Sequence, residues 1–342
     1  MTLLVEKPGP LASVQDLGRH GHRRLGVCPG GALDTLALSL ANRLVGNAVG
    51  AAGLELTMGG CALRFETPTR IAIMGDDFAA TLDGMPVWPC WSVPVAAGQT
   101  LRLAGANAVG TSGGGKLGLR SWLAVAGGID VPPVLGSRST DLKAGFGGHG
   151  GRALRKGDRL PLGATALDGA QLARRAFGVR GPDWETEAED AADRTIALRV
   201  LPGPEFEQFT LASRDQLWRD RWLITPQSNR MGSRLASASE AGLKRRRNTE
   251  MLSSGVIPGT IQVPPSGQPI ILMGDAQTVG GYPRIGVVIR ADLWKLAQAP
   301  LGGALRLVPV DAAGAIAAWT AQQRYFAQVT QGLAAAGWPT PA

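Results

Sequence analysis

Short apolar runs bounded by Gly, Pro or Asp recur roughly every ten residues along most of this chain. In the first half they are Leu3–Val5, Leu54–Leu56, Ala62–Phe65, Ile71–Met74, Trp91–Val95, Leu101–Leu103 and Trp122–Val125. In the second half they are Ala197–Leu201, Leu223–Thr225, Thr260–Val263, Ile270–Met273, Val287–Ile289 and Leu305–Val308. That spacing predicts paired strands in barrels or sandwiches rather than βαβ units. Glycine (48) and proline (23) exceed a fifth of the 342 residues and are spread between the runs, as a turn-rich β protein requires. With two Tyr and seven Phe, the core must be built mostly from Val, Leu, Ile and Ala.

Helices are predicted at three places. Asp34–Gly46 has Asp34 as N-cap, Leu36, Leu40 and Leu44 on one face, and Gly46-Asn47 as a stop. Ala291–Gln298 turns Leu293 and Leu296 inward. Ala312–Ala335 carries Ile316, Trp319, Tyr325, Phe326, Val329 and Leu333 as a stripe of core contacts at helical spacing. Between these features, residues 166–195 are polar, with an acidic cluster from Asp183 to Asp193, and are predicted to link two domains. The expected fold is therefore mainly β, with one barrel over residues 1–165 and a second over 196–342 that ends in the C-terminal helix.

The charge excludes some classes of function. The net charge of +8 comes from 29 Arg against six Lys, and these are scattered without interleaved aromatic residues. Nucleic-acid binding is not expected from that pattern, whereas small anionic substrates benefit from it. Cys28, Cys61 and Cys90 lack metal-ligand spacing and are expected to be reduced thiols of a cytoplasmic protein. MTLLVEKPGP has no signal-peptide pattern, and no apolar run is long enough to predict a membrane span.

Polar residues concentrate in a few glycine-rich segments. SVQDLGRHGHRRLGVCPGGALD (13–34) brings Gln15, Asp16 and Arg19 among glycines, and its lack of apolar period predicts a surface loop. Residues 136–158 hold Arg138, Ser139, Thr140, Lys143, His149 and Arg152, an inventory suited to a carboxylate or phosphate. PQSNRMGSRL (226–235) supplies Arg230 and Arg234. Asp275, Gln277, Thr278, Tyr282 and Arg284 follow directly on the run Ile270–Met273. Glu55 lies between Leu54 and Leu56, where alternation leaves it either buried or facing solvent. TSGGGKLG (111–118) imitates a phosphate-binding loop, but Leu117 replaces the magnesium-binding hydroxyl and a strand follows, so a hairpin loop is expected. No metal site, catalytic triad, HExxH or CxxC is present, and His149 has no partner in sequence.

SVQDLGR (13–19), GVCPGGALD (26–34), the Glu55 segment, LAVAGGIDVPPVLGSRST (123–140), LPGPE (201–205), the NRMGSRL block and GTIQVPPSGQPIILMGDAQTVGGYP (259–283) occur in one order. Together they resemble the KipA family, also called allophanate hydrolase subunit 2, a biotin-dependent carboxyltransferase-like family. The resemblance implies two cyclophilin-like β-barrels. Stand-alone bacterial members are similar to the C subunit of ATP-dependent 5-oxoprolinase, which works with a KipI-like B subunit and an A subunit to open 5-oxoproline to glutamate. It thus implies part of a cyclic amide hydrolase active as a complex, on a small carboxylate-bearing lactam, with ATP bound on or shared with the partner.

Fused relatives form the carboxyltransferase part of urea carboxylase, so a carboxyltransferase half using biotin is a second implication, and biotin is not the expected cofactor. A regulatory protein that binds a KipI-like kinase inhibitor is a third. The chain has no biotin-carrier MKM motif and no ATP-grasp region, which excludes a whole urea carboxylase. Asn229 stands where the family's SDRMG-type block has Asp, and carries no charge. On this resemblance Asp16, Arg19, Glu55, Arg138 and Asp275 are the expected catalytic residues. Gln15, Ser139, Thr140, Arg152, Arg230, Arg234, Gln277 and Tyr282 are expected to bind substrate, and the four loops to converge on one site.

Overall fold

A computed structural model describes residues 1–105, 118–182, 189–190, 195–239, 241–247 and 250–341. The chain divides into two compact units. The first comprises Met1–Arg19, Gly30–Gly181 and Tyr325–Ala342, and the second His20–Pro29 and Pro182–Arg324.

The first unit contains β1 (Thr2–Pro8), β2 (Leu11–Gln15), β3 (Gly53–Thr57), β4 (Cys61–Phe65), β5 (Thr69–Gly75) and β6 (Thr81–Leu82). It continues with β7 (Met85–Pro86), β8 (Trp91–Val95), β9 (Thr100–Arg102), β10 (Arg120–Val125), β11 (Arg159–Pro161) and β12 (Phe177–Gly178). These form two six-stranded sheets, ordered β11-β1-β4-β9-β6-β7 and β12-β8-β5-β10-β3-β2. Leu3, Val5, Leu63 and Phe65 from one sheet and Leu54, Ile71, Ile73, Leu123 and Val125 from the other share one buried cluster. Strands β5 and β10 are buried on both faces, because helix α1 (Thr35–Leu44) packs on the side away from that cluster. Asp34 caps α1 as expected, its carboxylate accepting the Ala37 N–H at 2.8 Å. The inward face differs from the expected one: Ala37, Leu38, Leu40, Ala41 and Leu44 are buried and Leu36 is only half-buried.

Residues 166–181 contain helix α2 (Gly169–Ala173) and β12 and belong to the first unit, where Arg70 holds the end of α2. Most of the acidic cluster Asp183–Asp193 and the phosphate-loop imitation at 111–118, apart from Gly118, lie outside the described residues.

The second unit contains β13 (Glu189–Asp190), β14 (Thr195–Pro202), β15 (Trp222–Ile224), β16 (Gly232–Ser237) and β17 (Ser254–Gly255). Then come β18 (Thr260–Gln262), β19 (Ile270–Leu272), β20 (Val279–Gly280), β21 (Arg284–Val288) and β22 (Ala304–Pro309). Strands β14-β21-β18-β19-β16-β15-β22 run side by side, and a parallel pairing of β22 with β14 closes them into a seven-stranded barrel. Closure leaves no unpaired sheet edge in that ring. Leu198, Val200, Ile261, Ile271, Ile285, Leu305 and Leu307 are buried in it.

The mainly β architecture follows the spacing of the apolar runs, each of which falls on a strand. Helix α3 (Leu211–Arg219) has no sequence signal, since Ser213 and Leu217 are its buried positions. Thr210 starts it by accepting the Ser213 N–H at 3.2 Å. Helix α4 (Leu293–Gln298) follows a 3-10 turn, and helix α5 (Ala312–Ala335) has the expected bounds. In α5 the stripe is interrupted: Phe326 and Leu333 are buried, but Ile316 is exposed and Gln322 is buried in its place, donating to the Ala291 carbonyl.

Candidate functional site

The segment 13–19 is not a surface loop. Gln15 ends the buried strand β2, and Asp16 and Arg19 are also buried. The reason is that residues 137–140 supply the partners. Asp16 Oδ1 accepts the Ser137 hydroxyl and the Gly18 N–H, each at 2.7 Å, and the Ser139 hydroxyl; Oδ2 accepts the Arg138 N–H. Thr140 donates its N–H to the Val14 carbonyl at 2.9 Å, which extends the pairing beside β2. Glycine is needed opposite: a Cβ at Gly147 stands 2.2 Å from the Ser139 oxygen, and one at Gly148 1.9 Å from Thr140 Oγ1. Asp16 thus ties β2 to the 137–140 turn. Asp16→Ala leaves two N–H groups and two hydroxyls without their acceptor and is expected to cost about 3 kcal/mol. A urea titration against the parent chain checks this.

Other expected site residues of the first unit are committed to internal partners. Glu55 is buried, accepts the Leu33 N–H at 3.1 Å and lies 3.6 Å from Arg120. Arg138 reaches the site through its peptide N–H, while its guanidinium pairs with Asp130 at 2.9 Å toward solvent. Arg152 forks onto Asp158 at 2.7 and 2.8 Å, and His149 Nε2 stands 3.6 Å from the same carboxylate. The Arg152 fork, helped by the Arg155 N–H, pulls the Asp158 carboxyl from an ordinary 3.8 down to about 2. Because the folded value is depressed, this stabilisation is present above the unfolded value and is lost as pH falls through about 2. The parent chain is therefore expected to lose stability between the two values and Asp158→Asn to lose less, as followed by circular dichroism during acid titration.

In the second unit the pairing of β16 with β19, with Gly232 opposite Leu272, runs on through the Met273 N–H to the Met231 carbonyl and brings Arg230 beside Asp275. The Asp275 N–H donates to the Arg230 carbonyl at 3.1 Å. The Arg230 guanidinium returns a side-on fork to the carboxylate, Nε at 2.8 Å and Nη2 at 3.0 Å, and both side chains are buried. Gln262 lies buried on β18 with its Oε1 accepting from Gln277 Nε2 at 3.3 Å and its Nε2 donating to the Tyr282 carbonyl at 3.4 Å. A Cβ at Gly280 would stand 2.5 Å from Gln262 Nε2, so a larger residue there must displace the end of that side chain. Gln277, Tyr282 and Arg234 are exposed. Asn229 Oδ1 accepts the Met231 N–H at 2.8 Å and shapes the turn into β16.

Sequence reasoning missed three groups here. Glu205 receives the Arg284 guanidinium at 2.9 and 2.7 Å, and that pairing holds its carboxyl below the usual range. Its signal was the LPGPE block, which carried no chemistry on its own. Gln262 was readable only as one polar position in an apolar strand. The third is a correspondence between IAIMGD (71–76) and IILMGD (270–275). In each, the Asp N–H donates to an arginine carbonyl, Asp76 to Arg120 at 3.0 Å and Asp275 to Arg230. The side chains then diverge. Arg120 pairs with Glu55, and Asp76 takes the N–H groups of Phe78 and Gly118 while burial pushes its carboxyl up.

The structure thus gathers segments 13–19 and 136–148 in the first unit, and 226–235 and 275–284 in the second. Among the described residues, no group of three or more His, Cys, Asp or Glu is placed to hold a metal ion. No described helix is long and apolar enough to cross a membrane. No disulfide joins the three cysteines, and burial pushes the Cys61 thiol up to about 12, which makes it unreactive.

A family model described as "Carboxyltransferase domain, subdomain A and B" matches residues 25–309. The chain is 46% identical over 327 residues to the 5-oxoprolinase C subunit of Escherichia coli (strain K12), covering 96% of this chain and 97% of that one. It is 39% identical over 300 residues to the protein of the same name from Haemophilus influenzae, covering 88% of each. Among solved structures, the K. lactis urea amidolyase aligns with a TM-score of 0.83 at 29% identity. That alignment covers 96% of this chain and 20% of the amidolyase, so the chain spans a fifth of that protein.

Proposed function

The chain belongs to the carboxyltransferase-domain family (subdomains A and B), and on that footing we propose that it is the C subunit of an ATP-dependent 5-oxoprolinase. One observation carries this reading: near-full-length identity to a 5-oxoprolinase C subunit in both directions, 96% of one chain and 97% of the other. The reaction is hydrolysis of a small lactam to an amino acid, carried out together with a KipI-like B subunit and an A subunit. Ring opening builds negative charge on the lactam carbonyl oxygen. Arg230, fixed side-on by Asp275, is a preorganised donor for that oxygen, because its orientation is set before substrate arrives. Gln262 and Gln277 offer amide groups of the kind that recognise a lactam N–H and carbonyl.

Nucleotide hydrolysis supplies the driving force, with ATP placed on, or shared with, the partner proteins. Gly118, the last residue of the phosphate-loop imitation, gives its N–H to Asp76.

The test is glutamate formation from 5-oxoproline and ATP by the three purified components. Formation that falls to background when this chain is omitted supports the proposal; undiminished formation without it refutes the proposal. The second reading, a carboxyltransferase for urea, is favoured by the fold match to urea amidolyase, at lower identity and over a fraction of that protein.

A further inference from the structure

Two ion pairs bracket the segment that carries Gln277 and Tyr282. Asp275 at its start holds the Arg230 fork, and Arg284 at its end is gripped by Glu205. The LPGPE block builds the second grip. Gly203 passes so close to β21 that a Cβ there would stand 2.2 Å from the Arg284 carbonyl oxygen. That approach lets the Glu205 N–H donate to the same carbonyl at 3.3 Å, and the buried Glu205 side chain turns back onto Arg284. Oε2 accepts the Arg284 peptide N–H and Nε, each at 2.9 Å, and Oε1 accepts Nη2 at 2.7 Å.

The other edge of the guanidinium gives this pair a further use. Arg284 Nη1 donates to the Gly255 carbonyl at 3.2 Å. Gly255 lies opposite Val279 in the ribbon of β17 and β20, and the adjacent Val256 N–H donates to the Thr278 carbonyl at 3.0 Å. Two residues per strand cannot hold a ribbon together in water. It depends on tethers, of which Arg284 is one and Arg23, donating to the Val256 carbonyl, is another. Because a guanidinium is planar, fixing its Nε and Nη2 on Glu205 also fixes the direction of Nη1. The ribbon in turn sets the backbone from Thr278 to Gly280, directly after Gln277, whose exposed amide reaches Gln262 at 3.3 Å. An apolar pair in place of Glu205 and Arg284 is often as stable, but it delivers no donor to Gly255.

We propose that Glu205 is a positioning residue for the substrate's amide contact: it aims Arg284 at Gly255 and, through the β17–β20 ribbon, holds Gln277 where it meets the lactam. The lactam rests on the 5-oxoprolinase reading; the tether from Glu205 to the ribbon does not. Gln277 touches the ring equally before and during ring opening. Loosening it therefore raises KM and spares kcat, unlike the loss of Asp275.

The test measures glutamate formation by the assembled complex against 5-oxoproline concentration, and amide hydrogen exchange of the full chain over residues 251–257 and over β22. Glu205→Gln should raise KM about tenfold, the cost of one charge-assisted contact, with kcat within about twofold of the parent. Exchange of the Val256 N–H should quicken while β22 exchanges as before. Arg284→Lys keeps a cation beside Glu205 but cannot span to Gly255, and should behave in the same way. Parent KM in both variants overturns the proposal, as does a loss carried by kcat, and so does unchanged exchange at Val256. Where Glu205→Gln does not fold, Arg284→Lys decides on the same readouts, and failure of both to fold marks a purely structural pair and overturns the proposal. If the complex makes glutamate and the variants keep the parent KM, this inference fails and the proposed function stands. If it makes none while exchange quickens at Val256 and not in β22, the tether stands and the 5-oxoprolinase reading fails.

Discussion

Asp275→Ala is expected to lower 5-oxoproline turnover by the reconstituted complex about 1,000-fold, an effect of the size seen when a preorganised charge-stabilising group is lost. The cause is not the missing carboxylate alone. Arg230 remains buried without the fork that fixes it, and breaking such a pair costs about 3–5 kcal/mol of stability. Lost activity through unfolding must therefore be separated from lost chemistry. The double variant Arg230→Met with Asp275→Leu does so. It removes both charges from the same buried place, and replacing a buried pair by apolar groups of similar volume is often neutral. Urea unfolding of the double variant should return close to the parent while turnover stays at the level of Asp275→Ala. Recovery of turnover together with stability shows that the pair only holds the barrel end together.

Arg70→Ala is expected to give the largest loss of stability in the first unit, about 4 kcal/mol, as the sum of several lost charge-assisted hydrogen bonds and a cavity. Arg70 is fully buried. Its Nε donates to Ser92 Oγ at 3.0 Å and its Nη2 to the Ser92 carbonyl at 3.0 Å. Nη1 reaches the carbonyls of Gln171 (3.0 Å), Leu172 (3.2 Å) and Arg174 (2.6 Å) at the end of α2. Phe177 and Trp338 lie 5.3 and 5.2 Å from its guanidinium carbon. One side chain thus fastens residues 171–177 and the C-terminal Trp338 to β5. An ammonium has three donors on one atom and cannot span these acceptors, so Arg70→Lys should recover little. Urea midpoints measure the loss, and proteolysis near Gly178–Gly181 should accelerate in parallel. A change below about 1 kcal/mol contradicts this role.

What was legible in the sequence follows from how local each determinant is. The strands were readable because each is a short apolar run with its own flanking Gly, Pro or Asp, and α1 because Asp34 caps it from the adjacent position. Helix α3 was not, since Trp222, whose indole N–H donates to the Leu217 carbonyl at 3.1 Å, ties it down from outside the helix. The burial of Gln15, Asp16 and Arg19 was also hidden. A charged, glycine-rich string implies solvent until the donors and acceptors that satisfy it are known, and these come from Ser137 to Thr140, more than a hundred residues away. Arg138 shows the same limit differently: sequence proposes its guanidinium, whereas the fold brings its peptide N–H to Asp16 and leaves the guanidinium with Asp130. The pairing of Arg230 with Asp275 depends on the β16–β19 register, which no local pattern specifies. Whole-chain resemblance implied that these segments converge, without indicating which of their groups pair.

The most direct test of the account compares two substrates in one preparation. The chain is combined with its KipI-like partner and the third component of the complex, and ATP hydrolysis is measured with 5-oxoproline and, separately, with urea, bicarbonate and a biotin carrier. The account predicts ADP release coupled to glutamate formation with 5-oxoproline and none above background with urea. Urea-dependent hydrolysis without any response to 5-oxoproline contradicts it.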